Sequence, residues 1–172
     1  MSILLVIAGI IVLILVIGLF MRKGYTITRE IIINATRQNV FDYVKQLKNQ
    51  DHFNKWVMVD PGMKRVFKGT DGTVGFIYGW NGNKKAGEGE VEIKSISEGE
   101  NIETEIRFVR PFPGIAHINM VTEAVSDNQT KVTWSNASTM KYPMNIMLST
   151  IEKMLAKDMD TSLSNLKNIL EK

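Results

Sequence analysis

The chain has 172 residues, a formal charge of +3, no cysteine and 44% hydrophobic residues. Without cysteine there is no disulfide scaffold, no thiol enzyme, no Cys-linked lipid anchor and no cysteine-ligated zinc or iron–sulfur site. Lys+Arg 21 against Asp+Glu 18 is nearly balanced, and the basic residues are scattered, so the pattern argues against a nucleic-acid partner.

From Ile3 to Met21 the chain is apolar and carries no charged side chain. A helix of that length spans about 28 Å, close to the ~30 Å hydrocarbon core of a bilayer. Only Met1 and Ser2 precede the run, and it ends in Leu19-Phe20-Met21-Arg22-Lys23 with no small-residue cleavage site. The expectation is an uncleaved single-pass anchor, residues 1–23, touching the membrane through residues 3–21. Arg22, Lys23 and Arg29 follow the span and no Lys or Arg precedes it, which places the remainder on the cytoplasmic side. Residues 24–172 form one expected domain of about 150 residues, a size that folds as a monomer without metal or cofactor. Two small basic groups, Lys64-Arg65 with Lys68 and Lys84-Lys85, read as solvated surface; beside a bilayer they can meet anionic headgroups.

Tyr25 to Asn34 is rich in β-branched residues and reads as a strand. Asn34-Ala35-Thr36 supplies capping oxygens for a short helix through Val40, Phe41 and Val44. A second short helix, Leu47 to about Trp56, turns Leu47, Phe53 and Trp56 inward before Pro61-Gly62. From Lys64 to Lys141 turn signals recur at Asp71-Gly72, Asn81-Gly82, Glu98-Gly99, Pro113-Gly114 and Asp127-Asn128, which predicts a six-stranded antiparallel meander. Alternation assigns the faces: Val74, Phe76, Tyr78 and Trp80 share one, as do Val91 and Ile93, then Ile102, Thr104, Ile106 and Phe108, then Val132 and Trp134. Gly87 and Gly89 suggest a bulge. A helix from Pro143 to about Leu170 carries an apolar stripe that covers the sheet.

This order, with Asn34-Ala35-Thr36 before Val40-Phe41-Asp42-Tyr43-Val44, Phe53-Asn54-Lys55-Trp56, Gly75-Phe76-Ile77-Tyr78 with Trp80, Gly87-Glu88-Gly89, Thr130-Lys131-Val132-Thr133-Trp134 and Leu163-Ser164-Asn165-Leu166-Lys167, resembles the helix-grip fold of the START/SRPBCC superfamily. Within it, the chain is most similar to the polyketide cyclase/dehydrase-like group. The resemblance covers about residues 25 to 170. It implies an α+β architecture: a seven-stranded antiparallel sheet around a long C-terminal helix, two short helices after strand 1, and a cavity for a hydrophobic ligand.

The cavity wall expected from alternation and the helix stripe is Phe76, Tyr78, Trp80, Phe108 and Trp134 with Met144, Met147, Ile151 and Met154. Five of the ten methionines fall between Met140 and Met159, and flexible thioethers suit varied apolar ligands. Residues 115–125 are apolar on both alternations. In one assignment His117 and Asn119 enter the cavity as a polar pair; in the other Ala116, Ile118 and Met120 face the helix and His117 lies outside. His52 sits in the polar stretch Asn49-Gln50-Asp51-His52 and reads as surface. No His/Asp/Glu set has metal-ligand spacing. The leading expectation is therefore a membrane-anchored domain that binds a small hydrophobic molecule or lipid. The alternatives are a cyclase or dehydratase using Tyr78, His117 and Asn119 to polarise carbonyls, and a partner-binding module whose interior is filled by its own side chains.

Overall fold

The structure is a computed structural model and describes residues 2–172. The apolar run forms one helix, α1 (Ser2–Phe20), whose side chains stand almost entirely clear of the rest of the chain. After a three-residue link the chain enters β1 (Gly24–Ile33). Thr36, extended at φ −63° and ψ 148°, caps α2 (Arg37–Lys45) by accepting from the Asn39 amide at 3.3 Å. Two single-turn helices follow, α3 (Gln50–Phe53) and α4 (Lys55–Met58), the second capped by Asn54 through the Trp56 amide at 3.1 Å.

Six strands form the meander: β2 (Lys64–Lys68), β3 (Ile77–Asn81), β4 (Glu88–Ser97), β5 (Asn101–Arg110), β6 (Gly114–Ser126) and β7 (Gln129–Thr139). They join β1 in one antiparallel sheet of order β1-β7-β6-β5-β4-β3-β2. The register shift expected at the glycine pair falls between Glu88 and Gly89. Val74, expected beside Phe76 on the inner face, is exposed instead. Turn hydrogen bonds from Thr73 to Thr70 and from Phe76 to Thr73 break the extended alternation there, so β3 starts only at Ile77.

The C-terminal segment opens with a 3₁₀ turn, Met144–Met147, before α5 (Leu148–Leu170). Among the strands α5 lies mainly along β1, and it also packs on α3 and α4. Its direction follows from its ends: Asn145 touches the end of α1, while Glu171 accepts from the Asn34 amide at 2.6 Å. The helix therefore runs from the α1 end of the sheet to the opposite end. Phe41, Phe53, Phe76, Ile33, Ile93, Val132, Met159, Leu163 and Leu166 are fully buried between helices and sheet, forming the core of the far half.

Candidate functional site

The enclosed space between sheet and helices is small. A cavity of about 20 Å³ lies among Val44, Leu47, Gln50, Phe53, Ile102, Thr104, Ile118, Met120 and Trp134. That volume suits one water, and Trp134 Nε1, buried with no protein acceptor, gives such a water something to bind. Trp134 itself is held edge-on by Phe53 and Trp56, with ring centroids 6.4 and 5.9 Å away. In this half Phe76 and Trp134 are packed core, and the enclosed space that Trp134 lines is water-sized.

The half nearer α1 is open. Along β5 the inner-face side chains pass from buried Ile102 and Thr104, through Ile106, to Phe108, which is 37% exposed. In the C-terminal segment Met159 is 0% exposed, whereas Met154, on a neighbouring face of α5, is 54% exposed and Met147, in the 3₁₀ turn, is 51% exposed. Asp158, on the same helical stripe as Met154, is held by Lys55 at 2.5 Å and by Trp56 Nε1 at 3.1 Å. Met154, Ile151 and Met147 continue that stripe toward α1, beyond those α4 contacts. Ile151 and Met144 are half-buried. The result is an open apolar face rather than a closed cavity.

Trp80 and Phe108 lie on the inner face of the sheet at this end. They flank Gly89 across β4, in the register Trp80–Gly89–Phe108. A Cβ on Gly89 would sit 2.7 Å from the Trp80 ring and 2.6 Å from the Arg107 carbonyl, so only glycine lets the indole lie over the strand. The ring then meets Phe108 edge-on at 6.1 Å and donates Nε1 to the Ala86 carbonyl at 3.1 Å.

Tyr78 is buried and committed to a polar cluster. Its hydroxyl donates to Asp51 at 2.5 Å and accepts from Arg65 Nε at 3.0 Å, and Arg65 pairs with Asp51 at 3.0 Å. Burial, followed by the Asp51 carboxylate, pushes the phenol well above its ordinary range, so it stays protonated at neutral pH. Arg65 also donates to the Pro61 and Met63 carbonyls. This cluster ties β2 and β3 to α3. Asp51 was missed in the sequence because its neighbours are polar; the available signal was Tyr78 itself, since an inward phenol needs a partner.

His117 and Asn119 do not enter the space between sheet and helix. Cross-strand pairing sets Ala116 opposite Ile106 and Ile118 opposite Thr104, so these face inward and His117 and Asn119 project from the outer face. His117 is exposed and borders a shallow open depression of about 370 Å³ with Arg22, Gly24, Tyr25, Thr26, Ala137, Ser138 and Thr139. Tyr78, His117 and Asn119 thus occupy two faces of the sheet and converge on no common point. The acidic outer residues around Gly89 are gathered by Arg107, which pairs with Glu90 at 2.8 Å, Glu92 at 2.8 Å and Glu105 at 2.6 Å.

No family model matches the chain, and no curated protein matches it. Solved structures do. A protein from Chromobacterium violaceum aligns over 86% of this chain and 97% of its own, at 14% identity and a TM-score of 0.61. Norcoclaurine synthase from Thalictrum flavum, in complex with dopamine and hydroxybenzaldehyde, aligns over 89% and 90% at 10% identity, with a TM-score of 0.65. DynU16, encoded in the dynemicin biosynthetic locus, aligns over 85% of this chain and 47% of its own at 11% identity, with a TM-score of 0.60. These likenesses establish the helix-grip fold.

Proposed function

We propose that the chain is a membrane-anchored helix-grip protein whose domain, residues 24–172, binds a small hydrophobic molecule or lipid on the open apolar face beside α1. One observation carries this reading. Phe108 on the sheet, Met147 in the 3₁₀ turn and Met154 on α5 are exposed, and Trp80, Ile151 and Met144 are only half-buried. Two exposed methionines and a half-buried third, Met147, Met154 and Met144, suit an adaptable apolar ligand surface better than a solid core. A complex of norcoclaurine synthase with two small aromatic molecules supports the fold's capacity for such ligands. Arg22 and Lys23 after the span favour a cytoplasmic domain.

The enclosed space of about 20 Å³ favours a second reading, a partner-binding module with a filled interior. Native mass spectrometry of the full chain released from detergent separates the two. A co-purifying molecule of lipid mass supports the first; repeated recovery of the bare chain, with added fatty acid also failing to bind, supports the second.

A further inference from the structure

We propose that the α1 end of the sheet is a bilayer-docking surface, with Phe112 immersed at headgroup level, so that the open apolar face is presented to the membrane carrying α1. The proposal rests on the reading of α1 as a membrane anchor. Three observations point to it.

The first is that α1 is fastened to the sheet-and-helix body without a flexible stalk. Asn145, fully buried, donates Nδ2 to the Gly18 carbonyl at 2.7 Å and to the Met21 carbonyl at 3.3 Å, capping the end of the helix. Ile146 lies against Gly18, Arg22 pairs with Glu152, and Met140 donates its amide to the Lys23 carbonyl at 2.7 Å. Gly18 is inside the last turn of α1, so the segment packed on it, Tyr142 to Met147, sits at the depth where the span leaves the hydrocarbon. Tyrosine is enriched at that depth.

The second observation is where the exposed apolar residues are. Register places the β5–β6 turn, Pro111-Phe112-Pro113, at the same sheet end as Gly24. It lies between two and three strand spacings from β1, about 10–14 Å. Phe112 is 63% exposed, the highest value among the large apolar side chains described outside α1. Its two flanking prolines restrict the backbone that displays it.

Charge is the third. The turns and links at this end carry Arg22, Lys23, Lys84, Lys85 and Lys141; their acidic exception, Asp60, accepts from the Asn83 amide at 2.8 Å. At the opposite end the turns carry Asp71, Glu98, Glu100 and Asp127, alongside Arg37, Lys45 and Lys48, of which Lys45 pairs with Glu98 at 3.0 Å. A basic, aromatic-tipped end beside a span matches an anionic membrane surface.

Because the chain has no cysteine, single-cysteine variants of the full protein accept one label each. Full chains carrying Phe112→Cys or Asp127→Cys, labelled with an environment-sensitive fluorophore, are reconstituted in vesicles of phosphatidylcholine and phosphatidylglycerol. The label at 112 should be blue-shifted and quenched several-fold more by a headgroup-level nitroxide lipid than the label at 127. Lys84→Gln with Lys85→Gln should weaken that quenching, as should omission of phosphatidylglycerol. Equal quenching at both positions, while the chain resists alkaline extraction, overturns the docking proposal and leaves the anchor standing. Extraction of the chain by alkali overturns the anchor and the docking together. A label at 112 shielded equally in detergent, with concentration-dependent dimers, assigns the surface to self-association and also overturns docking. A thermal melt of each variant confirms that the fold is intact.

Discussion

The two halves of the helix–sheet sandwich are built from the same alternation, yet one is sealed and the other open. Far from α1, Met159, Leu163 and Leu166 of α5 meet Val132, Ile33 and the aromatic residues of α2 and α3, and the enclosed space beside Phe53 and Trp134 is water-sized. Near α1 the strand face continues to Phe108, and a different face of the helix, the one that carries Asp158, Met154 and Ile151, runs on past the end of α4; Phe108, Met147 and Met154 find no cover there. The difference lies in coverage, since α3 and α4 reach α5 at Asp158, Ser162 and Asn165. Apolar periodicity therefore marks which side chains face inward; the short helices decide which of them are buried.

Alanine substitutions at one buried and one exposed apolar position of α5 should show the largest contrast. Leu163→Ala, at a site 1% exposed, should cost about 2–5 kcal/mol. Met154→Ala should fall within about 0.5 kcal/mol of the parent, because little packing is lost there. Denaturant midpoints of the two variants test this. A Met154→Ala penalty equal to that of Leu163→Ala would mean that the half near α1 is sealed in solution.

A smaller effect should appear on the outer face, where Arg107 holds three carboxylates. Hydrogen bonding from Arg107, partly opposed by desolvation and aided by Lys94, lowers the Glu92 pKa below its ordinary value. A lowered folded-state pKa gives stability that is present above the unfolded value of about 4.3 and is lost as pH falls through the folded value. These groups are largely solvated, so the contribution stays below about 1 kcal/mol. Arg107→Leu leaves Glu90, Glu92 and Glu105 facing one another, so it should lose stability near about pH 7 and recover relative to the parent near about pH 3. Urea midpoints at both values provide the check; an unchanged gap between variant and parent would show the cluster to be inert.

Much of the fold was legible before any coordinates. Turn signals and β-branched runs gave the seven strands and their order, because hairpins leave an antiparallel meander few alternatives. Inner faces followed from alternation wherever one face was charged, as in β4 and β5. Alternation does not distinguish the faces of a strand that is apolar on both. In β6, His117 and Asn119 were assigned to the interior in one of two readings, and only pairing with β5 puts them outside. The open face was illegible for a related reason. The stripe from Met144 to Leu170 is continuous in sequence, and its uncovering depends on where α3 and α4 end. The Asp51–Tyr78–Arg65 cluster joins residues far apart in the chain, which no local pattern announces.

The central claim is that the uncovered face near α1 binds an apolar ligand, and one variant tests it most directly. Met154→Trp places a bulky ring on that face at a position already 54% exposed, where overpacking has room to relax. Binding of a fluorescent long-chain fatty acid and the melting temperature are measured on the same full-length preparation, parent and variant side by side. The account predicts that the parent binds the probe and that Met154→Trp loses most of that binding with its melt nearly unchanged. A parent that binds no apolar probe, or a variant that melts several degrees lower while binding as before, would contradict it.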